Sequence, residues 1–306
     1  MELAVIVNPH AGRRTAVWKE PALRAALGPL GIGVSVHVTR APGDARRLAK
    51  ELAGRAGVIG VIGGDGTVHE VVNGIVPHRV PIVLIPSGSG NDFSSLIACP
   101  GNLRELAAVI ENGWGAELDI LNFGDRFCVN SAGLGFEGLV NRMSHDLARI
   151  GGRTRYALAL LRALRSFQHP HFKITTSRGD EISGEMLLVS IGNGRRTGGA
   201  FYLTPRAFPD DGLIDVCIIE PMSRARMLFI LPRALNGSHV ARKEVRLLRV
   251  ASLAVEATAA YPMHIDGEYV EAGPQRREIT VVPGALRILC RPSRANILSK
   301  ELKKIL

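Results

Sequence analysis

The chain has 306 residues, enough for two domains of ordinary size that each bury a core. With 46% hydrophobic and 22% charged residues and no low-complexity tract, it reads as globular, not disordered or fibrous. The formal charge of +10 favours anionic partners such as nucleotide phosphates or acidic headgroups. The 5% aromatic content and the lack of any RNA- or DNA-binding motif speak against nucleic acid.

Four cysteines, Cys99, Cys128, Cys217 and Cys290, stand far apart with no CxxC pair, which fits a reduced, cytoplasmic setting. The apolar run in "MELAVIVNPHAGRR" is too short for a signal peptide, and no later run approaches the roughly 18 residues of a spanning helix. Any membrane contact is expected to be peripheral.

In chain order, apolar runs at 3–7, 34–38, 58–62 and 81–85 predict strands, and amphipathic patterns near 16–28, 43–53 and 67–75 predict helices between them. That alternation predicts a parallel α/β sheet. After about residue 120, segments such as "FKITTSRGDEISGEMLLVSIGNG" and "REITVVPGALRILC" predict a mostly antiparallel β domain. Helical stretches are expected at 138–167 and near 223–237, the second ended or kinked by Pro232. The terminal "RANILSKELKKIL" has a short basic helix pattern expected to pack back on the first domain.

Each early strand ends in a loop rich in Gly, Asn, Thr or Ser: "NPHAG", "TRAPGD", "GGDGT" and "PSGSGND". In an open parallel sheet, ligands bind beyond the carboxyl ends of the strands. A glycine-rich turn into a helix offers backbone N–H groups and the helix's positive end to a phosphate, so lysine is not required. "VIGGDGTVHEVVNG" (61–74) matches neither GxxxxGK[ST] nor a full GxGxxG. Its plain alternative is a capped turn with Asp65 or Thr67 as the cap.

"NPHAG", "GGDGTVHEVVNG", "PSGSGNDF", "DDGLIDV" and "HIDGE" together resemble the diacylglycerol kinase catalytic family, whose members include bacterial soluble lipid kinases and sphingosine and ceramide kinases. The resemblance covers nearly the whole chain. GGDGT alone is shared with NAD kinases and phosphofructokinases; "PSGSGNDF" with the late "DGE" narrows it to lipid kinases.

The resemblance implies an N-terminal Rossmann-like ATP-binding domain (1–120, with 291–306 packing back on it). It also implies a C-terminal β-sandwich (121–290) and a cleft where a lipid hydroxyl meets the γ-phosphate. Residue by residue, the ATP site would use Asn8, Pro9, His10, Ala11, Gly12, Thr39, Gly64, Asp65, Gly66, Thr67, Val68, His69, Glu70 and Ser89. Asn73 reads as solvent-exposed helix polarity.

Two carboxylates, Asp65 and Glu268, are candidates for proton transfer. In bacterial members the DGE glutamate is the proton acceptor, whereas sphingosine kinases are discussed with the GGDG aspartate in that role. Glu268 is therefore taken as the base, with Asp65 positioning the hydroxyl or acting through Mg2+. Read locally, "MHIDGEYV" is a hairpin with Asp266-Gly267 as its turn and Glu268 as an exposed strand residue. Family position implies a Mg2+ site at Asp211 with main-chain oxygens of Phe208 and Leu213, oxygen ligands suiting a hard cation. Asp119 matches a family aspartate near the nucleotide, or is a strand-edge aspartate.

On the lipid side, Arg142, Arg149, Arg153, Arg155, Arg162, Arg165 and Lys173 surround one acid, Asp146. They read as a basic surface for anionic membrane or as the solvated side of a core-facing helix, and Lys300, Lys303 and Lys304 invite the same two readings. The expected function is an ATP- and Mg2+-dependent kinase acting on diacylglycerol or a related lipid alcohol. NAD kinase and a catalytically silent nucleotide- or lipid-binding module are the alternatives. A homodimer is compatible with the sequence.

Overall fold

A computed structural model of the chain describes residues 1–11, 20–76, 78–147, 152–292 and 303–304. Gly12, Arg149 and Lys300 lie outside the described residues, as do the side chains of Arg153, Lys303 and Lys304. The chain divides into two compact units, residues 1–120 with the stretch from Pro283, and residues 121–282.

In the first unit, β1 (Glu2–Val7), α1 (Glu20–Leu27), β2 (Gly33–Val38), α2 (Asp44–Leu52), β3 (Val58–Gly63), α3 (Asp65–Ile75) and β4 (Ile82–Pro86) alternate along the chain. The four strands are parallel in the order β2-β1-β3-β4. Every residue of β3 is buried, and β1 and β4 are buried but for their ends. Burial on both faces is why these strands read as continuous apolar runs. A further helix, α4 (Leu103–Asn112), has a sequence signature the periodicity reading passed over. Asn102 accepts the Glu105 N–H at 2.9 Å as its N-cap, and Gly113 closes it at φ 65°.

β5 (Trp114–Asn122) follows, and its last residues pair antiparallel with β6 (Phe127–Cys128) in the second unit. That unit is built from β7 (Ser131–Gly135), α5 (Phe136–Asp146), α6 (Gly152–Ser166), β8 (His171–Thr176), β9 (Glu181–Glu185), β10 (Leu188–Gly192) and β11 (Ile214–Ile219). It continues with α7 (Arg224–Ile230), β12 (Val245–Val250), β13 (Ser252–Ala257), β14 (Tyr261–Ile265), β15 (Glu268–Ala272) and the start of β16 (Arg277–Leu289). Six strands form one antiparallel sheet, β12-β11-β10-β7-β14-β15, and β9-β8-β13-β16 form another ladder.

The two faces meet in one core. Val189, Ile191, Val216 and Ile218 from the six-stranded sheet join Phe172, Ile174, Leu253 and Ile279 from the other. The alternate residues, Leu188, Cys217 and Ile219, point the opposite way, onto a second cluster with Phe136, Ala163, Leu164, Met227 and Leu231 of the helices. Period-two alternation with both faces covered makes these strands apolar throughout.

Two expectations change. The stretch 138–167 holds two helices, not one, α5 ending at Asp146 and α6 beginning at Gly152. Lys303–Lys304 pair antiparallel with Gly115 and Trp114 of β5 as a two-residue strand, β17; the rest of the terminal stretch where a helix was expected, 294–302 and 305–306, lies outside the described residues. As expected, α7 stops before Pro232, and a short 3-10 turn, Leu231–Leu235, follows. The end of β16 returns to the first unit, pairing parallel with β4 through Ile288 and Leu289.

Candidate active site

The carboxyl ends of β1, β3 and β4 are tied into one rim in the first unit. Asn8 donates its backbone N–H to the Ile62 carbonyl (2.9 Å) and its Nδ2 to Thr67 Oγ1 (3.1 Å), joining the first loop to the third strand and its helix. The Ser87 N–H reaches the Gly63 carbonyl at 2.9 Å, carrying β4 alongside. At this junction Gly64 and Gly88 lie back to back: a β-carbon on Gly88 would stand 2.6 Å from the Gly64 Cα. Only glycine at both positions allows the two loops to approach so closely.

α3 starts at Asp65 with Gly64 as an extended N-cap that has no side chain to offer. Its first intrahelical bond runs from the Val68 N–H to the Gly64 carbonyl at 3.1 Å. The positive end of α3 therefore faces the glycine rim, as an anion site requires. Asp65 does not cap the helix. Its Oδ1 accepts the Phe93 N–H at 3.3 Å, crossing from the third-strand loop to the fourth. Two buried side-chain acceptors on the same rim, Ser87 Oγ and Asn91 Oδ1, have no partner among the described residues. A glycine cradle, a helix N-terminus and orphaned polar atoms fit a phosphate-bearing ligand such as ATP.

The other expected ATP residues divide by environment. His10 donates its N–H to Asn8 Oδ1 (3.0 Å), so Pro9 lies within a tight asparagine turn, and the Ala11 N–H closes on the Asn8 carbonyl (3.2 Å). Thr39 is buried with its N–H on the Val7 carbonyl (2.9 Å), and Ser89 is exposed on the rim. Gly66 sits in the first turn of α3, while Val68 and His69 are buried. Glu70 has a different occupation: its Oε1 and Oε2 accept the N–H groups of Gly43 (2.9 Å) and Ala45 (3.0 Å), closing the start of α2. Asn73 bonds back to the His69 carbonyl at 2.9 Å, and the buried Asp119 accepts the Gly284 N–H at 2.8 Å.

In the second unit, "HIDGE" is the hairpin β14–β15. Asp266 and Gly267 both take left-handed φ values, 50° and 88°, the turn that joins strands of native twist. Asp266 is buried and is not aimed at solvent. Its carboxylate accepts the N–H groups of Val129 (2.9 Å), Asn130 (2.8 Å) and Ser131 (3.2 Å), with the Cys128 thiol at 3.2 Å. Burial first, and then the neighbouring Asp266 charge, push that thiol's pKa well above its usual value, so it stays protonated. The Gly267 carbonyl receives Asn141 Nδ2 at 2.8 Å, and its N–H donates to His264 Nδ1 at 3.3 Å. On the other side of the ring, His264 Nε2 lies 3.0 Å from Glu137 Oε1. A turn held from so many sides presents Glu268 as the first residue of β15, exposed at the surface.

The loop 208–213 was expected to hold Mg2+. In the structure Asp211 turns one carboxylate oxygen to the Arg249 guanidinium, and the other accepts the Leu213 N–H at 3.0 Å. Arg249 also contacts Asp215 at 3.3 Å, and the Arg195 guanidinium stacks 4.2 Å over the Phe208 ring. The Arg249 guanidinium already offsets the Asp211 charge, so a divalent cation held by Phe208, Asp211 and Leu213 would share that carboxylate with it. No cluster of three or more His, Cys, Asp or Glu suited to a metal occurs among the described residues. Burial raises Asp215 to about 6, opposed by Arg249.

Comparisons with known proteins place the chain in a family. Residues 2–123 match the family described as diacylglycerol kinase catalytic domain, and residues 130–290 match the one described as YegS C-terminal NAD kinase beta sandwich-like domain. The chain is 30% identical over 295 residues to a diacylglycerol kinase of Mycobacterium tuberculosis, covering 94% of each. It is 32% identical over 283 residues to a Pseudomonas aeruginosa protein named probable lipid kinase YegS-like, covering 90% of this chain and 91% of that one. A solved Bacillus anthracis structure described as a candidate diacylglycerol kinase superposes with a TM-score of 0.76 at 26% identity, covering 95% of this chain and 98% of that one. These relatives set aside the NAD kinase and silent-module alternatives. The chain belongs to the diacylglycerol kinase catalytic family of bacterial lipid kinases, and it is a lipid kinase.

Proposed function

We propose that this lipid kinase transfers the γ-phosphate of ATP to the free hydroxyl of diacylglycerol, working at the surface of the membrane that holds its substrate. The observation that carries the nucleotide half is the paired-glycine rim, Gly64 against Gly88, at the start of α3. Backbone N–H groups there meet the phosphates without a lysine. The acceptor follows from the relatives that bear the name diacylglycerol kinase.

Mg2+ bound to the nucleotide would supply charge that offsets the phosphates. Glu268, exposed on its braced turn, takes the proton of the attacking hydroxyl. Asp65, anchored to Phe93 through one oxygen, orients that hydroxyl with its negative charge. Phosphoryl transfer asks little covalent chemistry of the protein, so positioning and charge stabilisation do the catalytic work.

The test is incubation of the protein with labelled ATP, Mg2+ and a panel of lipid alcohols in mixed micelles. Label is expected in phosphatidic acid. Efficient labelling of another lipid alcohol, with diacylglycerol left untouched, would overturn the acceptor assignment. Glu268→Gln is expected to lower turnover by roughly 10²–10⁴-fold if Glu268 is the base. Turnover within a few-fold of the unaltered protein would move that role elsewhere.

A further inference from the structure

The second unit carries a concentrated apolar surface on α6, α7 and the turn that follows. Nine large hydrophobic side chains are exposed among the described residues, and five of them, Leu158, Leu161, Leu228, Phe229 and Leu235, fall in this one region. Phe229 is 70% exposed, and Leu161 and Leu228 are each 54% exposed. The helices are not loose, because their opposite faces are fixed in a shared core by Ala163 and Leu164 of α6 and Met227 of α7, with Leu231 just beyond. The Arg224 guanidinium donates to the Arg165 carbonyl at 2.9 Å, tying the start of α7 to the end of α6. The exposed leucines and phenylalanine therefore sit on a rigid base, where monomeric proteins seldom leave such side chains in water without a use.

Charge identifies the occupant. Neither α6, α7 nor the turn to Leu235 contains an aspartate or glutamate, whereas arginine recurs, with Arg162, Arg165 and Arg224 all exposed. A second copy of the chain packed symmetrically here would set this arginine-bearing patch against itself. An anionic bilayer surface answers both features at once, with apolar side chains entering the acyl boundary and guanidinium groups meeting headgroup phosphates.

We infer that α6, α7 and the turn to Leu235 form the face by which the protein docks on anionic membrane. This rests on the proposed action at a membrane surface and names where the contact is made. It differs from the sequence expectation in its anchor, because Phe229 and Leu228 lie outside the basic stretch 142–173. Two members of that stretch are engaged elsewhere: Arg142 lies over the Tyr269 ring at 5.8 Å, and Lys173 pairs with Glu181 at 3.0 Å.

The test is co-sedimentation of the full chain with vesicles of phosphatidylcholine alone and of equimolar phosphatidylcholine and phosphatidylglycerol. The unaltered protein should bind the anionic vesicles and leave the neutral ones, with affinity falling as salt rises. Phe229→Asp and Arg224→Glu should each weaken anionic-vesicle binding by about tenfold or more. Leu30→Asp, an exposed leucine in the other unit, should not change it.

Turnover of a short-chain, monodisperse diacylglycerol should be unaffected by Phe229→Asp, while turnover of the same headgroup in vesicles falls. Equal vesicle binding by the unaltered protein and Phe229→Asp would overturn the inference, as would absence of binding by the unaltered protein. A dimer that Phe229→Asp converts to monomer, with vesicle binding unchanged, would reassign the patch to self-association. Absence of turnover on every diacylglycerol would sink the acceptor assignment while leaving the vesicle result to stand by itself.

Discussion

Gly64 and Gly88 stand so close across the ends of β3 and β4 that neither loop has room for a side chain on that face; a β-carbon on Gly64 would lie 3.1 Å from the Gly88 Cα, and one on Gly88 only 2.6 Å from the Gly64 Cα. In each case the nearest neighbouring atom is backbone and cannot rotate aside. Gly88→Ala should therefore part the two loops, costing about 1–3 kcal/mol of stability. Its larger effect should be a raised KM for ATP, because the phosphate-facing N–H groups lose their spacing. Calorimetry and initial-rate kinetics would check both, and an unchanged KM would show that phosphate does not bind at this rim.

Asp65 can be separated into a tether and a charge. Its Oδ1 holds the Phe93 N–H, and an asparagine oxygen could still do so. Asp65→Asn should keep the melting temperature within a few degrees yet reduce turnover by roughly a hundredfold or more, since the oriented negative charge is gone. Asp65→Ala should lower both. Full activity in the asparagine variant would reduce Asp65 to a loop tether.

Glu70 illustrates how sequence position conceals a job. It follows GGDGT on a helix and reads as a ligand residue, but its two oxygens close the N-terminus of α2, a segment 25 to 27 residues earlier in the chain. Glu70→Ala would leave both N–H groups without that partner and should cost about 1–3 kcal/mol. The KM for ATP should move little. A large KM change with unaltered stability would return Glu70 to the nucleotide site.

The parallel sheet was legible because strands covered on both faces need apolar side chains at every position, as in β3. The glycine loops were legible because their composition exceeds what a plain turn requires. Helix α4 announces itself through its cap residues, Asn102 and Gly113, so apolar periodicity alone does not reveal it. Bonds between distant residues leave no local trace. Nothing near Asp211 announces that Arg249, 38 residues on, will occupy its carboxylate.

Arg249 serves two carboxylates, Asp211 and Asp215, and burial leaves Asp215 with a folded-state value of about 6. The ordinary value is 3.8, so the folded state holds this proton to higher pH than the unfolded state does. Its stabilising contribution is present below the ordinary value and is lost as pH rises through about 6. Urea unfolding of the unaltered protein should show that loss between about pH 4 and pH 6, up to about 3 kcal/mol. Asp215→Asn should remove this part of the slope, and parallel pH profiles for the two proteins would refute the assignment.

Asp266 and Glu268 sit two residues apart in one motif and are predicted to fail differently. The Asp266 carboxylate receives three backbone N–H groups from the segment around Asn130, so it acts as an acceptor on every side described. Asp266→Asn would replace one acceptor oxygen with an NH2 group facing backbone donors, at a cost of about 1–3 kcal/mol or more, since the lost partner is charged. Activity should fall with the folded fraction and with the disordering of the turn. Glu268 is exposed, and no such cost attaches to Glu268→Gln, whose melting curve should overlay that of the unaltered protein while turnover collapses. Melting curves and rates measured side by side separate the residue that builds the turn from the residue that uses it. A Glu268→Gln protein that melts early, or an Asp266→Asn protein that is stable but inactive, would exchange those roles.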